Sequence, residues 1–142
     1  MEPSRWGIIY CPKDGVRHIH KEWEAIRSYL TEKGVLYDFV QSEGPKSVER
    51  LAGMLASNGY TTIVIVGGDA ALNRALNGVL SQGEEVRRNV AFGVIPNGWG
   101  NDFAHFWGFE EDNYKQTIDW LIKRRVRKVD VGYCVCLLYT SD

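Results

Sequence analysis

The chain has 142 residues, 44% hydrophobic and 25% charged, which suits one compact domain and leaves no room for a second full one. Seventeen basic against eighteen acidic side chains give a net charge of -1, so neither nucleic acid nor an anionic membrane is announced as the main partner, and any anion site must be local. Cys11, Cys134 and Cys136 are odd in number and match no zinc spacing, so they read as reduced thiols. No signal-like start and no run of about 18 apolar residues occurs, so the chain is expected to be soluble and cytoplasmic.

Apolar runs then alternate with amphipathic segments, the pattern of βαβ units around a parallel sheet. Trp6 to Cys11 is the expected first strand, ended by Pro12. His18 to Lys33 reads as a helix with Ile19, Trp23, Ile26 and Leu30 on its apolar stripe, and Gly34 stands where a left-handed C-terminal residue is wanted. Val35 to Gln41 is the second strand. Ser47 is the expected N-cap of a helix carrying Val48, Leu51 and Leu55, which Gly59 closes. Thr62 to Val66 is the third strand and Leu72 to Leu80 the third helix, with Leu72, Leu76, Val79 and Leu80 on one face. "GEEVRRN" reads as a charged loop, Val90 to Pro96 as a fourth strand, Asp112 to Arg125 as a helix, and "RKVDVGY" as a fifth strand beginning near Arg127. The apolar ending "VCLLYTSD" reads as an interrupted or altered terminus.

Two strand ends run into glycines and carboxylates: Gly67-Gly68-Asp69, and Gly98, Gly100, Asn101 and Asp102 in "NGWGND". In an open parallel sheet, ligands bind where the carboxyl ends of the strands meet. Glycines there allow close approach of backbone N–H groups and positive φ values, forming a donor nest for phosphate that the dipole of the following helix assists. Asp69 would repel a phosphate directly, but it suits a magnesium ion, its water or a ribose hydroxyl, and Asp102 permits the same argument. A tight turn with an Asp cap would explain the first cluster alone; the second cluster is what favours a site. Neither loop is G-x-G-x-x-G or G-x-x-x-x-G-K-[ST], which disfavours the ordinary dinucleotide and P-loop readings.

"GGDAALNRALNGV" resembles the GGDGTxNEVxNG motif of the diacylglycerol kinase catalytic domain family, bacterial lipid kinases related to sphingosine and ceramide kinases, and "VIPNGWGNDFAHFWGF" resembles its xxPxGTxNDFAxxxG motif. "YCPKDG" stands where that family has an NPxSG-like loop, and "RKVDVGY" is similar to the segment leading into its second domain. The resemblance implies a three-layer α/β sandwich with a mostly parallel sheet, like the N-terminal domains of NAD kinases and diacylglycerol kinases. Residues 1–131 would be the nucleotide-binding domain, and 132–142 the start of a second domain or a non-native tail. It also implies transfer of the ATP γ-phosphoryl to a lipid hydroxyl, with ATP and Mg2+ as cofactors. Carried over by position, Gly67, Gly68 and Asp69 would face the phosphates and the metal, with Gly98, Gly100, Asn101 and Asp102 opposite. Pro12 and Lys13 would belong to the first loop, and Ser42 would offer a hydroxyl to the nucleotide; Arg74 and Trp99 are not the family's residues, but as they stand they could meet phosphate oxygens and cover an adenine face. Lys13 and Ser42 also read as ordinary loop and turn residues, and Trp99 as loop packing.

The motif departs from the family at Ala70 and Ala71, at Arg74 where glutamate is usual, and at Trp99 where threonine is usual. The family's β-rich second domain, which accepts the lipid and supplies the general base, is not in this chain. No base is identified here, since His18, His20 and His105 suit surface or packing roles. The chain by itself is therefore expected to be inactive or nearly so. Peripheral membrane association and homodimerisation are implied by the resemblance alone. Two alternatives remain: an NAD-kinase-like small-molecule kinase, and a non-catalytic nucleotide-binding module.

Overall fold

A computed structural model of the chain describes residues 5–12, 19–97, 101–106, 108–110 and 113–123, the side chains of residues 19–21 and 45 excepted. Its elements are β1 (Trp6–Tyr10), α1 (Ile19–Glu32), β2 (Tyr37–Gln41), α2 (Pro45–Ser57), β3 (Thr62–Gly67), α3 (Asp69–Leu80), α4 (Glu84–Arg88), β4 (Ala91–Pro96), α5 (Asp102–Phe106) and α6 (Tyr114–Lys123). The strands form one sheet in the order β2-β1-β3-β4, every pair parallel. The expected fifth strand lies outside the described residues. Among those residues no helix is long and apolar enough to cross a membrane.

β1 and β3 are buried along their whole length because helices cover both faces of the sheet. Alternation along each strand divides the core in two. Ile9, Ile63, Ile65 and Val94 point to one side, where Leu51, Ala52, Leu55 and Ala56 of α2 meet Leu72, Ala75 and Val79 of α3. Ile8, Tyr10, Val64, Val66 and Ile95 point to the other, against Trp23, Ile26 and Leu30 of α1 and Ile118 of α6. The expected three-layer α/β sandwich is thus observed.

Several local expectations are corrected. Ser47 is not the N-cap of α2 but its third helical residue: Pro45 opens the helix, and the Ser47 hydroxyl accepts the N–H groups of Glu43 and Gly44 at 3.0 and 3.3 Å. The "GEEVRRN" stretch is not all loop, since Glu84–Arg88 forms the short helix α4, with acidic residues in its first turn and basic ones in its last. The buried face of α3 is Leu72, Ala75, Gly78 and Val79, whereas Leu80 is exposed and Leu76 only partly buried. The reason is steric. A Cβ on Gly78 would stand 2.0 Å from the Glu49 carbonyl oxygen, so α2 and α3 cross backbone to backbone and the small residues take the contact. Gly34 and Gly59 do have left-handed φ values, 74° and 94°, at the ends of α1 and α2, as expected.

Candidate functional site

The chain leaves β1 for β2 on one side of the sheet and returns to β3 on the other, with α1 and α3 on opposite faces. The carboxyl ends of β1 and β3 therefore flank the switch point where open α/β sheets bind ligands. Backbone hydrogen bonds of 2.9 Å continue the sheet beyond its strands here: Cys11 N–H donates to the Val66 carbonyl, Ser42 N–H to that of Tyr10, and Asn97 N–H to that of Gly67. Four strand ends are thereby held as one rim, which gathers Pro12, Ser42, Gly67 and Gly68 from distant parts of the chain.

The β3–α3 junction is tighter than the sequence suggests. Gly67 is the last residue of β3 and Asp69 the first of α3, so α3 starts three residues before the expected Leu72 and Gly68 alone lies between the elements. The expected positive-φ nest is not formed by this pair: among the described residues the positive-φ glycines are Gly34, Gly59 and Gly108, and Gly68 is extended at φ -113°. Space is short at position 67 instead. A Cβ there would approach the Cβ atoms of Ala71 and Cys11 to 3.2 Å, so any side chain would crowd β1 and the first turn of α3.

Asp69 joins the two loops singled out in the sequence. Its carboxylate oxygens accept the N–H of Asp102 at 2.8 Å and that of Phe103 at 3.1 Å, across 33 and 34 residues of sequence. Both donors lie at the start of α5, where helix geometry leaves N–H groups without intrahelical acceptors. The same carboxylate sits in the first turn of α3, where negative charge is favoured. Asn101, buried, precedes α5, and its carbonyl accepts His105 N–H at 2.9 Å. The side chain of Asp102 is exposed.

The remaining candidates are spread more widely. Ser42 is buried at the rim beside Cys11, whose thiol burial pushes above its ordinary value against a smaller opposing effect of the Ser42 side chain. Arg74 is exposed on the second turn of α3, about 7.5 Å along the axis from Asp69. His105 is exposed on α5. Lys13, Gly98, Trp99, Gly100 and His18 lie outside the described residues, as does the His20 side chain. Among the described residues no three His, Cys, Asp or Glu side chains gather to hold a metal ion.

Sequence reasoning passed over two rim residues. Cys11 packs beside Gly67 and Ser42, and Asn97 is buried and bonded to Gly67. The signal for both was their place: each adjoins the proline at a strand's carboxyl end.

A search of known proteins gives a consistent result. The chain is 25% identical over 129 residues to a diacylglycerol kinase of Bacillus subtilis, covering 91% of this chain and 41% of that protein. It is 24% identical over 105 residues to sphingosine kinase B of Dictyostelium discoideum, covering 73% of this chain and 14% of that one. The chain thus spans less than half the length of these curated relatives. A crystal structure of a diacylglycerol kinase from Bacillus anthracis superimposes with a TM-score of 0.71 at 20% identity, over 86% of this chain and 43% of that one. The family described as the diacylglycerol kinase catalytic domain matches residues 5–134, and to that family of kinases this chain belongs.

Proposed function

We propose that this chain supplies the nucleotide-binding half of an ATP-dependent lipid kinase acting on a diacylglycerol-like hydroxyl. The observation that carries the reading is the joining, through Asp69, of the two glycine-and-carboxylate motifs at the sheet's switch point. Phosphoryl transfer demands mostly positioning and charge neutralisation, and a rim of paired backbone at strand ends is a rigid place from which to position.

In this reading the triphosphate lies along Gly67 and Gly68, facing Gly98, Gly100, Asn101 and Asp102, with Pro12, Lys13 and Ser42 at its flank and Arg74 toward its outer oxygens. A magnesium ion would arrive with the phosphates and keep much of its water. Of the carboxylates, Asp102 is the one with an exposed side chain free to meet the hydrated ion, while Asp69 already accepts two N–H groups. The chemistry supplied by the nucleotide is a γ-phosphoryl group: the lipid oxygen bonds to phosphorus, the β–γ bridging bond breaks, and ADP leaves. The lipid-accepting surface and the base that takes the hydroxyl proton are assigned to the second domain that the family resemblance implies. Ala70 and Ala71, on the first turn of α3, favour the second reading, a nucleotide-binding module without catalysis.

Isothermal titration of the chain with magnesium-ATP is the test. Saturable heat at millimolar nucleotide, lost in a Gly67→Val variant that keeps its helical circular dichroism, is the expected result. Absence of heat from the parent chain overturns both readings.

A further inference from the structure

The contact between Asp69 and α5 raises the question of what the carboxylate is for. Asp69 lies in a motif where a carboxylate suggests a metal ligand, yet both of its oxygens are directed at backbone N–H groups. We propose that Asp69 is a positioning residue, a strut that sets the separation of the start of α3 from the start of α5, and not a ligand of the cation.

Three features of the fold support this. The base of the strut is held at both ends: Asp69 opens a 12-residue helix whose far part packs through Gly78 against the Glu49 carbonyl, and the carbonyl of Gly67 accepts the N–H of Asn97, the residue that follows β4. The strut's targets are the right ones: the ladder of α5 starts at the Asn101 carbonyl, so the N–H groups of Asp102 and Phe103 need acceptors from elsewhere. The geometry is also specific to aspartate, since asparagine offers one oxygen and would turn an NH2 toward the second donor. A carboxylate accepting two amide N–H groups makes charge-assisted bonds, roughly twice as strong as neutral ones. Fixing one wall of the cleft against the other in advance removes an ordering cost from ligand binding.

The functional half of this inference rests on the nucleotide-binding reading above, so the experiment separates the two. In the 142-residue chain, Asp69→Asn, Phe103→Pro and the double variant are compared by amide hydrogen exchange at Asp102 and by calorimetric affinity for ATP, once with magnesium and once with EDTA. Proline is accommodated in a helix's first turn and removes one donor without changing charge. Asp69→Asn is expected to speed exchange at Asp102 about tenfold. It should weaken ATP by the same factor with and without magnesium. Phe103→Pro should weaken ATP in both conditions, and the double variant should be no worse than the poorer single one, because the two act through one contact. Unchanged exchange in Asp69→Asn overturns the strut, and an affinity loss confined to the magnesium condition overturns it and makes Asp69 a metal ligand. Additive losses in the double variant overturn it as well. If the parent chain binds no ATP in either condition, the nucleotide-binding reading falls and the positioning role with it, while the exchange data still decide whether the contact exists. Far-UV circular dichroism of each variant guards against misfolding, and Asp69→Asn alone carries the decision if Phe103→Pro fails to fold.

Discussion

The two faces of the sheet are built on different principles. The face covered by α2 and α3 is aliphatic and small, with Ala52, Ala56, Ala75 and Gly78 letting the helices cross at backbone contact. The face covered by α1 and α6 is aromatic: Tyr10 stacks on Trp23 with centroids 4.7 Å apart, Trp23 meets the edge of Phe39 at 5.3 Å, and Tyr29 meets that of Tyr114 at 6.2 Å. Its rim is polar, with the Tyr29 hydroxyl donating to Asp119 at 2.7 Å and Lys33 also pairing with Asp119. Small residues fix a helix by excluding any other position, whereas large rings fill space that a neighbour can partly reclaim. It is the first kind of face that carries Asp69. A residue that holds two backbone N–H groups at hydrogen-bond distance is thereby mounted on a helix that crosses its neighbour at backbone contact.

Three perturbations test that contrast. On the aromatic face Trp23→Ala removes the largest ring of the stack, and a loss of about 3–5 kcal/mol in urea unfolding is expected. A loss under about 1 kcal/mol would mean that the face closes over the gap and is looser than described. On the small-residue face Gly78→Ala adds one methyl group but places it against a backbone carbonyl, so a loss of about 1–3 kcal/mol is expected despite alanine's better helix propensity. A melting temperature equal to the parent's would show that α2 and α3 are free to part. The smallest effect belongs to Tyr10→Phe. The Tyr10 hydroxyl is buried without a hydrogen-bond partner, so its removal should be neutral or stabilising by up to about 1 kcal/mol.

The same substitution also has a pH signature. Burial, and then the charges of Glu22 and Cys11, raise the Tyr10 phenol above its ordinary 10.0. The folded state therefore holds this proton more tightly than the unfolded one. Its contribution is fully present below the ordinary value and is lost as pH climbs through the raised one. Tyr10→Phe should flatten that part of the alkaline decline in stability, measured by unfolding at a series of pH values. An unchanged slope would show that Tyr10 does not drive it.

The α/β alternation was legible because the strands are continuous apolar runs and the helices carry stripes at Trp23, Ile26 and Leu30, or Val48, Leu51 and Leu55. Local chemistry alone produces those patterns. The stripe of α3 was misjudged because hydrophobicity favours leucines, while the crossing favoured Ala75 and Gly78 for their size. The N-cap of α2 was misplaced because Ser47 serves the helix start from its third position, behind a proline that already fixes the first turn. Of the two reasons for singling out Gly67, close approach of its backbone to a phosphate and a positive φ, the second does not hold. What the structure adds is its room beside Cys11 and Ala71, and crowding by a residue far off in the chain leaves no mark in a local motif.

The sequence by itself determined the family and the order of the four described strands, because strand ends followed by "GGD" and "NGWGND" are chemical choices visible one residue at a time. Only the tertiary structure decided what Asp69 touches. Its partners are backbone N–H groups 33 and 34 residues away, which every residue except proline offers and no sequence pattern can single out. Sheet order brought α5 beside α3, and the orphan donors of the one helix met the leading carboxylate of the other.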